Sequence, residues 1–411
     1  MRELFRNPTF RRLFFGRIIT NAGDSLYYIA AMWLVYSLSD STFYTGLAGA
    51  LVLLPQTFQV LTGPLVDRWS LRRTLLGTQL VQCVLVLAVP LAVVTDRFVV
   101  PTVLLVIPVA GLVNEIVYPA ESAALPRIVE TNELVDANSA FSFAYGGVDF
   151  LFNAVGGVLI ALVGAVSLYL IDSATFAIAA LVFADIRVPT AERSNSEPSS
   201  SAVGDYAEKL REGIRYIRAT VLVPILVTFV LSGVAAYATI AVLPAFGAAH
   251  GGAGTYGMFL AGLSAGRLVR ALAAPKLKRL PIHLLGAVGY CLGGVAWLAA
   301  VRVQWIPLST VLVCLAFVPI GVMDTILIAM IQSLVPDHLL GRVTAVVYSV
   351  TGVAKPVGSL LGGALATIVG LDLLMLGVTV GLFSMAIFWA THPLLRRVPA
   401  VQEIEPDAYG L

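Results

Sequence analysis

Apolar residues run in blocks of about twenty along almost the whole chain, broken by short clusters of charge. Roughly 20 such residues carry a helix across the hydrocarbon core of a bilayer. By that measure the pattern predicts twelve spans, at about 13–37, 43–66, 74–94, 101–121, 138–161, 165–185, 220–246, 254–273, 283–301, 305–331, 342–367 and 371–391. They are read as helices, because an open sheet edge leaves backbone groups unsatisfied in lipid. The short alternating segments of a closed barrel are absent.

The breaks between spans alternate in charge. Arg2, Arg6, Arg11 and Arg12, then Arg68, Arg72 and Arg73, then Arg127 fall on one side. Arg187 through Arg218, then Lys276, Lys278 and Arg279, then Arg396 and Arg397 continue on that side. The other side holds only Arg97 and Arg302. Basic residues favour the cytoplasm, so both termini are expected inside, in the cell membrane. The stretch "MRELFRNPTFRRLFFGR" lacks a small-residue cleavage site and reads as a retained cytoplasmic end.

One break differs from the rest. "AERSNSEPSSSAVG" is a Ser-rich linker, and Tyr206, Leu210, Ile214, Ile217 and Val221 then recur at helical spacing. That pattern predicts a short amphipathic helix on the inner membrane surface. The expected organisation is a six-helix bundle over 1–190, a cytoplasmic linker over 191–219, a second bundle over 220–395 and a tail over 396–411. The two halves also repeat. "LPRIVETNELVDANSA" aligns with "SLVPDHLLGRVTAVVY", and Gly156–Gly157 with Gly362–Gly363, at one ungapped offset. The fold class is therefore an all-α membrane protein, with twelve transmembrane helices in two pseudo-symmetric six-helix bundles.

Composition agrees. The chain has 411 residues, 58% hydrophobic and 12% charged, against about 25% charge in a soluble domain. The net charge of +2 gives no reason to expect nucleic acid. Cys83, Cys291 and Cys314 sit in apolar runs, with no disulfide or zinc spacing. The four histidines lie at span ends or in loops, and no HExxH, GxSxG or phosphate loop occurs. An enzyme, a metal, a cofactor and direct ATP drive are not expected.

"GPLVDRWSLRR", between spans two and three, resembles the loop motif of the major facilitator superfamily, Gly-x-x-x-Asp-Arg-x-Gly-Arg-Arg. Gly63, Asp67, Arg68 and Arg72 match, while Ser70 and Leu71 depart from it. "NAGDSLYYIAAMWLVYSLSDST", "LIDSATF", "REGIRYI" and "LVPDHLLGRV" are similar to the exporter branch containing drug, macrolide and enterobactin efflux proteins. The resemblance implies a monomeric secondary transporter that moves small amphipathic molecules by alternating access, coupled to protons or Na+. It also implies a gating latch of Gly63, Asp67, Arg68, Arg72 and Arg73. Asp67 would meet the positive N-terminus of span eleven near Arg342. A lysophospholipid flippase, a small-metabolite importer and a non-transporting sensor or scaffold remain open.

Charges inside spans are costly, at about 2.5–3.5 kcal/mol on insertion scales, so each needs a reason. Asp24, Asp149 and Lys355 fall near the midplane, with Glu115 and Asp324 nearer the inner side. Asp149 and Lys355 each stand seven residues before a Gly-Gly pair, nearly two turns, so charge and glycines share a face. Gly156, Gly157, Gly362 and Gly363 are the expected helix-packing glycines. Asp149 and Lys355 line the substrate cavity in one reading and form structural ion pairs in the other. Asp24, Asn153, Asp324 and Tyr118 are further cavity candidates. Asp24, Glu115 and Asp149 are the candidates for proton coupling. For Asp24 the alternative is a packing acid bonded to Thr20, Tyr27 or Tyr28.

Overall fold

A computed structural model describes residues 4–57, 70–130, 133–186, 211–277 and 279–398. Its helices are α1 (Pro8–Ser39), α2 (Thr42–Thr57), α3 (Leu71–Val94), α4 (Val99–Asn114), α5 (Val117–Ile128), α6 (Leu134–Val163) and α7 (Ala165–Phe183). A short α8 covers 211–218. There follow α9 (Leu222–Ala249), α10 (Ala253–Leu277), α11 (Ile282–Arg302), α12 (Ile306–Leu334), α13 (Asp337–Val369) and α14 (Leu371–Thr391). No strand occurs among the described residues. Counting α4 and α5 together, the long helices fall on the twelve expected spans. Nine of them, over the described residues, are long and apolar enough to cross a membrane.

Span four is not the uninterrupted helix expected over 101–121. It turns at Glu115–Ile116 and resumes as α5. Pro119 lies four residues after Glu115, so it cannot donate to the Glu115 carbonyl and its ring crowds it. The ladder tightens there, with Ile116 N on Val113 O at 3.4 Å.

The chain forms two compact units, Met1–Arg193 with Ala241–Ala261, and Ser194–Ile240 with Gly262–Leu411. In the first unit, Asn7 caps α1, accepting from Thr9 N at 2.9 Å and Phe10 N at 3.2 Å. Its amide also donates to Ile128 O at 2.6 Å, tying the start of α1 to the end of α5. Phe10, Phe14 and Phe141 pack beneath this cap. Higher along α1, Gly16 leaves room for the Phe183 ring, and Gly23 for Asp172 and Thr175 of α7. The turn joining α9 to α10 needs glycine, with Gly251 at φ 135° and Gly252 at φ 87°.

In the second unit, Trp389 packs on Gly286 and Phe383 on Gly294. The Trp297 indole donates to Met375 O at 2.9 Å. Gly358 and Gly362 of α13 lie against the α9 backbone at Val234 and Ala238. Helix α8 docks on α13 through Gly213, which meets Arg342 O and Val346. Glu212 pairs with Arg342, and the Tyr216 hydroxyl donates to Leu334 O at 3.2 Å. Of the expected apolar stripe, Ile217 is buried and Ile214 is exposed. Gly213→Leu is expected to lift α8 from α13. Limited trypsin digestion should then cut around Arg211–Arg218 several-fold faster than in the wild type, with the long helices intact.

Candidate functional site

Helix α1 carries a polar stripe inside an apolar span: Arg17, Thr20, Asn21, Asp24 and Ser25. Their spacing of three, four, seven and eight residues places them on one face. That face meets α4, α5 and α6. At its lower end Arg17 Nε donates to Glu121 Oε2 at 2.8 Å, with the two residues 7% and 5% exposed. The Tyr145 hydroxyl donates to the same carboxylate, at 2.8 Å and 3.0 Å from its two oxygens. The Arg17 guanidinium also lies over the Tyr145 ring, 5.7 Å from its centroid, and donates to Thr20 at 3.2 Å. A buried cation–carboxylate pair stands only when its remaining hydrogen-bonding groups are satisfied. Tyr145 and Thr20 supply that.

Two turns farther, Asp24 Oδ2 accepts from Asn114 Nδ2 at 3.3 Å. The Thr20 hydroxyl serves Arg17 and its own helix instead. Asp149 of α6 accepts from Ser25 at 2.9 Å and Asn21 at 3.2 Å. Asp149 is exposed on α6, as are Gly146 and Gly147. An exposed carboxylate within a span has to meet water, because lipid cannot solvate it. The α1 face thus joins three acids, one base and five neutral polar groups.

The other expected site residues are spread more widely. Glu115 sits half-buried at the break between α4 and α5. Asn153 is half-buried one turn past Asp149. In the second unit the Lys355 ammonium lies 5.8 Å from the Tyr237 ring centroid. Asp324 is half-buried on α12, one turn beyond Gly321, whose missing side chain leaves room for the Arg270 stem. Gly156 makes room for Ile29, Gly157 meets the backbone of Gly257 and Ala253, and Gly362 meets the Ala238 backbone. The Gly363 carbonyl accepts from Thr367 at 3.2 Å. Arg72 and Arg73 are exposed in the first turn of α3. Gly63, Asp67 and Arg68 lie outside the described residues, as does the side chain of Tyr118.

Sequence reasoning passed over Arg17. The signal was present: Arg17 extends the Thr20–Asn21–Asp24–Ser25 stripe by one turn. Asp172 is another acid within a span. It is fully buried on α7 beside Gly23, with the Thr175 hydroxyl 3.4 Å from Oδ1.

A family model described as transmembrane secretion effector, MFS_3, matches residues 3–408. The multidrug efflux pump Tap of Mycobacterium tuberculosis (strain ATCC 25618 / H37Rv) is 24% identical, over 99% of this chain and 98% of that protein. Its namesake in Mycolicibacterium fortuitum is 25% identical, over 94% and 96%. Among solved structures, the chain resembles a bacterial homologue of the human lysosomal transporter Spinster, inward-facing and unoccupied. The TM-score is 0.71 at 13% identity, covering 96% of this chain and 97% of that one. The nucleoside transporter NupG gives a TM-score of 0.70 at 12% identity, covering 93% and 98%. With the family model spanning nearly every residue and the helices folding as in known transporters, the chain belongs to the transmembrane secretion effectors of the major facilitator superfamily, a family of multi-pass membrane transporters rather than enzymes.

Proposed function

We propose that the protein is a proton-coupled exporter of small amphipathic molecules, working by alternating access in the cell membrane with both termini cytoplasmic. The observation that carries this reading is the connected polar face of α1. It sets Asp24 and Asp149 on one hydrogen-bonded helix pair, with Asp149 exposed and Asp24 half-buried. A proton arriving at Asp149 has neighbouring polar groups to follow inward, Asn21 and Ser25. Loading Asp24 with that proton removes a charge whose presence in a span is costly. Releasing it to the other compartment restores the charge, so the two states of Asp24 favour different surroundings. The names of the Tap relatives support drug-like cargo, and apolar spans with few amides suit amphipathic rather than sugar-like solutes.

Span four has no arginine, where many exporters of this superfamily carry one for coupling. Here the buried base is Arg17 on α1, and the acid it faces, Glu121, comes from the α4–α5 span. The exchange of helices keeps a cation–carboxylate pair next to the coupling acid. The motif around Asp67 and Arg68 belongs to the same proposal, as its gating element.

The test uses purified protein in proteoliposomes with ethidium as cargo. Wild-type protein is expected to move dye against its gradient when a pH gradient is imposed. Asp24→Asn should lose that response by at least tenfold while keeping downhill exchange. Unaltered gradient dependence in the variant eliminates Asp24 as the proton carrier. Absence of flux in the wild type for a panel of cationic and neutral drugs removes the exporter reading.

A further inference from the structure

The second unit holds a cavity of about 290 Å3 enclosed by α9, α11, α12 and α14. Small residues on two of these helices help leave it open, between Leu231 and Thr239 of α9 and Val378, Leu382 and Met385 of α14. Ala235 and Ala236 face it from α9, and Gly381 faces it from α14. A side chain begun at Gly381 would meet no atom within 4 Å. Tyr290, Trp297 and Phe317 form aromatic walls.

The polar groups on these walls are nearly all spoken for. Thr239 donates to Ala235 O at 2.8 Å, Ser384 to Val380 O at 2.8 Å and Ser232 to Phe229 O at 3.3 Å. The Trp297 indole is bonded to Met375 O. The exception is Tyr290. Its side chain is 1% exposed and its buried hydroxyl makes no hydrogen bond of good geometry, with Ser232 its polar neighbour and the Asp324 charge within electrostatic reach. A buried donor left unmade is destabilising, so such a group in a cavity marks where a partner belongs.

We propose that this cavity is a binding site for a neutral, two-ring aromatic molecule with one hydrogen-bond acceptor, which takes the Tyr290 hydroxyl as its donor. The size follows from comparison: an apolar cavity of roughly 150 Å3 takes up benzene, so about twice that volume holds two rings. Neutrality follows from the lining, which has no charged side chain. An acyl chain from the bilayer would fill the space but leave Tyr290 without an acceptor. The mouth lies where Leu231 and Gly381 are exposed, between α9 and α14. No residue of the α1 polar face contributes, so the site stands independently of proton coupling.

Benzophenone has the required form, two rings and one carbonyl, and it is its own label. Under ultraviolet light its carbonyl carbon bonds to a nearby C–H carbon and the hydrogen passes to its oxygen. The full chain in detergent, with no ion gradient, is irradiated at increasing benzophenone concentration, and labelled peptides are mapped by mass spectrometry. Saturable labelling is expected in 231–239, 290–297 and 378–385. Gly381→Phe, which fills the open space, should lower it at least tenfold. Tyr290→Phe removes one oxygen and keeps the shape, and should raise the half-saturating concentration about tenfold. Tyr290→Phe decides the matter if Gly381→Phe does not fold. Labelling that never saturates, or maps elsewhere, overturns the site. Equal half-saturation in wild type and Tyr290→Phe, with tetradecane displacing the probe from both, assigns the cavity to acyl chains and overturns the proposed ligand. Because no gradient is present, either failure leaves the coupling test untouched.

Discussion

Glu121→Gln is expected to lower the unfolding temperature of the purified protein by roughly 10 °C. The substitution keeps the volume and removes the charge that holds Arg17, which is 7% exposed. Breaking a buried ion pair from one side costs about 3–5 kcal/mol, because the other charge is left without compensation. In a unit of this size each kcal/mol shifts the midpoint by about 2–4 °C. Tyr145 does not rescue the variant. Its hydroxyl, now 2.8 and 3.0 Å from the two carboxylate oxygens, can donate to the single glutamine oxygen or accept from the amide nitrogen, and neither contact carries a negative charge. Arg17→Leu alone should be milder, since the carboxylate keeps the Tyr145 donor. The double variant Arg17→Leu/Glu121→Leu should return close to the wild-type midpoint, as apolar replacement of a buried pair is often neutral. Flux then separates two roles. If the double variant is stable yet fails to couple dye movement to protons, the pair serves transport. If stability and coupling both return, the pair only joins α1 to α5. A Glu121→Gln protein as stable as the wild type removes the premise, since Arg17 would then have another way to keep its charge.

Much of this architecture is legible in the sequence because lipid leaves a chain few choices. Blocks of about twenty apolar residues, and arginines crowded into alternate breaks, place the helices before any packing is considered. What escapes is whatever depends on the order of events along one span. Hydropathy alone joins 101–121, yet Pro119 acts four residues upstream and turns the helix at Glu115. Arg17 stands near the start of span one, where a long basic side chain usually reaches back to the interface. Only the helical spacing to Thr20 and Asp24 shows that it points sideways, and only the fold shows Glu121 waiting there. Asp24 finds Asn114, a residue ninety positions away, which no local pattern announces. The cavity beside Tyr290 could not be read at all. It is a volume that four helices decline to fill, and no single helix records it.

Gly157→Leu is expected to be the most disruptive single change in α6. A Cβ at Gly157 would overlap the Gly257 backbone and approach Ala253 O, and a Cβ at Gly257 would overlap Gly157 in turn. Two helix backbones meet here with no side chain between them, which only paired small residues allow. An overlap with backbone is not relieved by a rotamer change. The helices have to separate, and neighbours such as the Trp33–Tyr256 stack at 5.9 Å separate with them. Over-packing of this kind costs about 1–3 kcal/mol for one methyl group and more for a longer chain. Gly157→Ala should therefore lower the thermal midpoint in detergent by several degrees, and Gly157→Leu should lower it further or prevent purification. Gly146 provides the control on the same helix. It has no atom within 4 Å of a would-be Cβ, so Gly146→Ala should hold the midpoint or raise it slightly through better helix propensity. The difference between the two alanine variants isolates the contact from the general effect of removing a glycine. Were Gly157→Ala to behave like Gly146→Ala, the two backbones would not be touching in solution, and α6 and α10 would need another reason to approach.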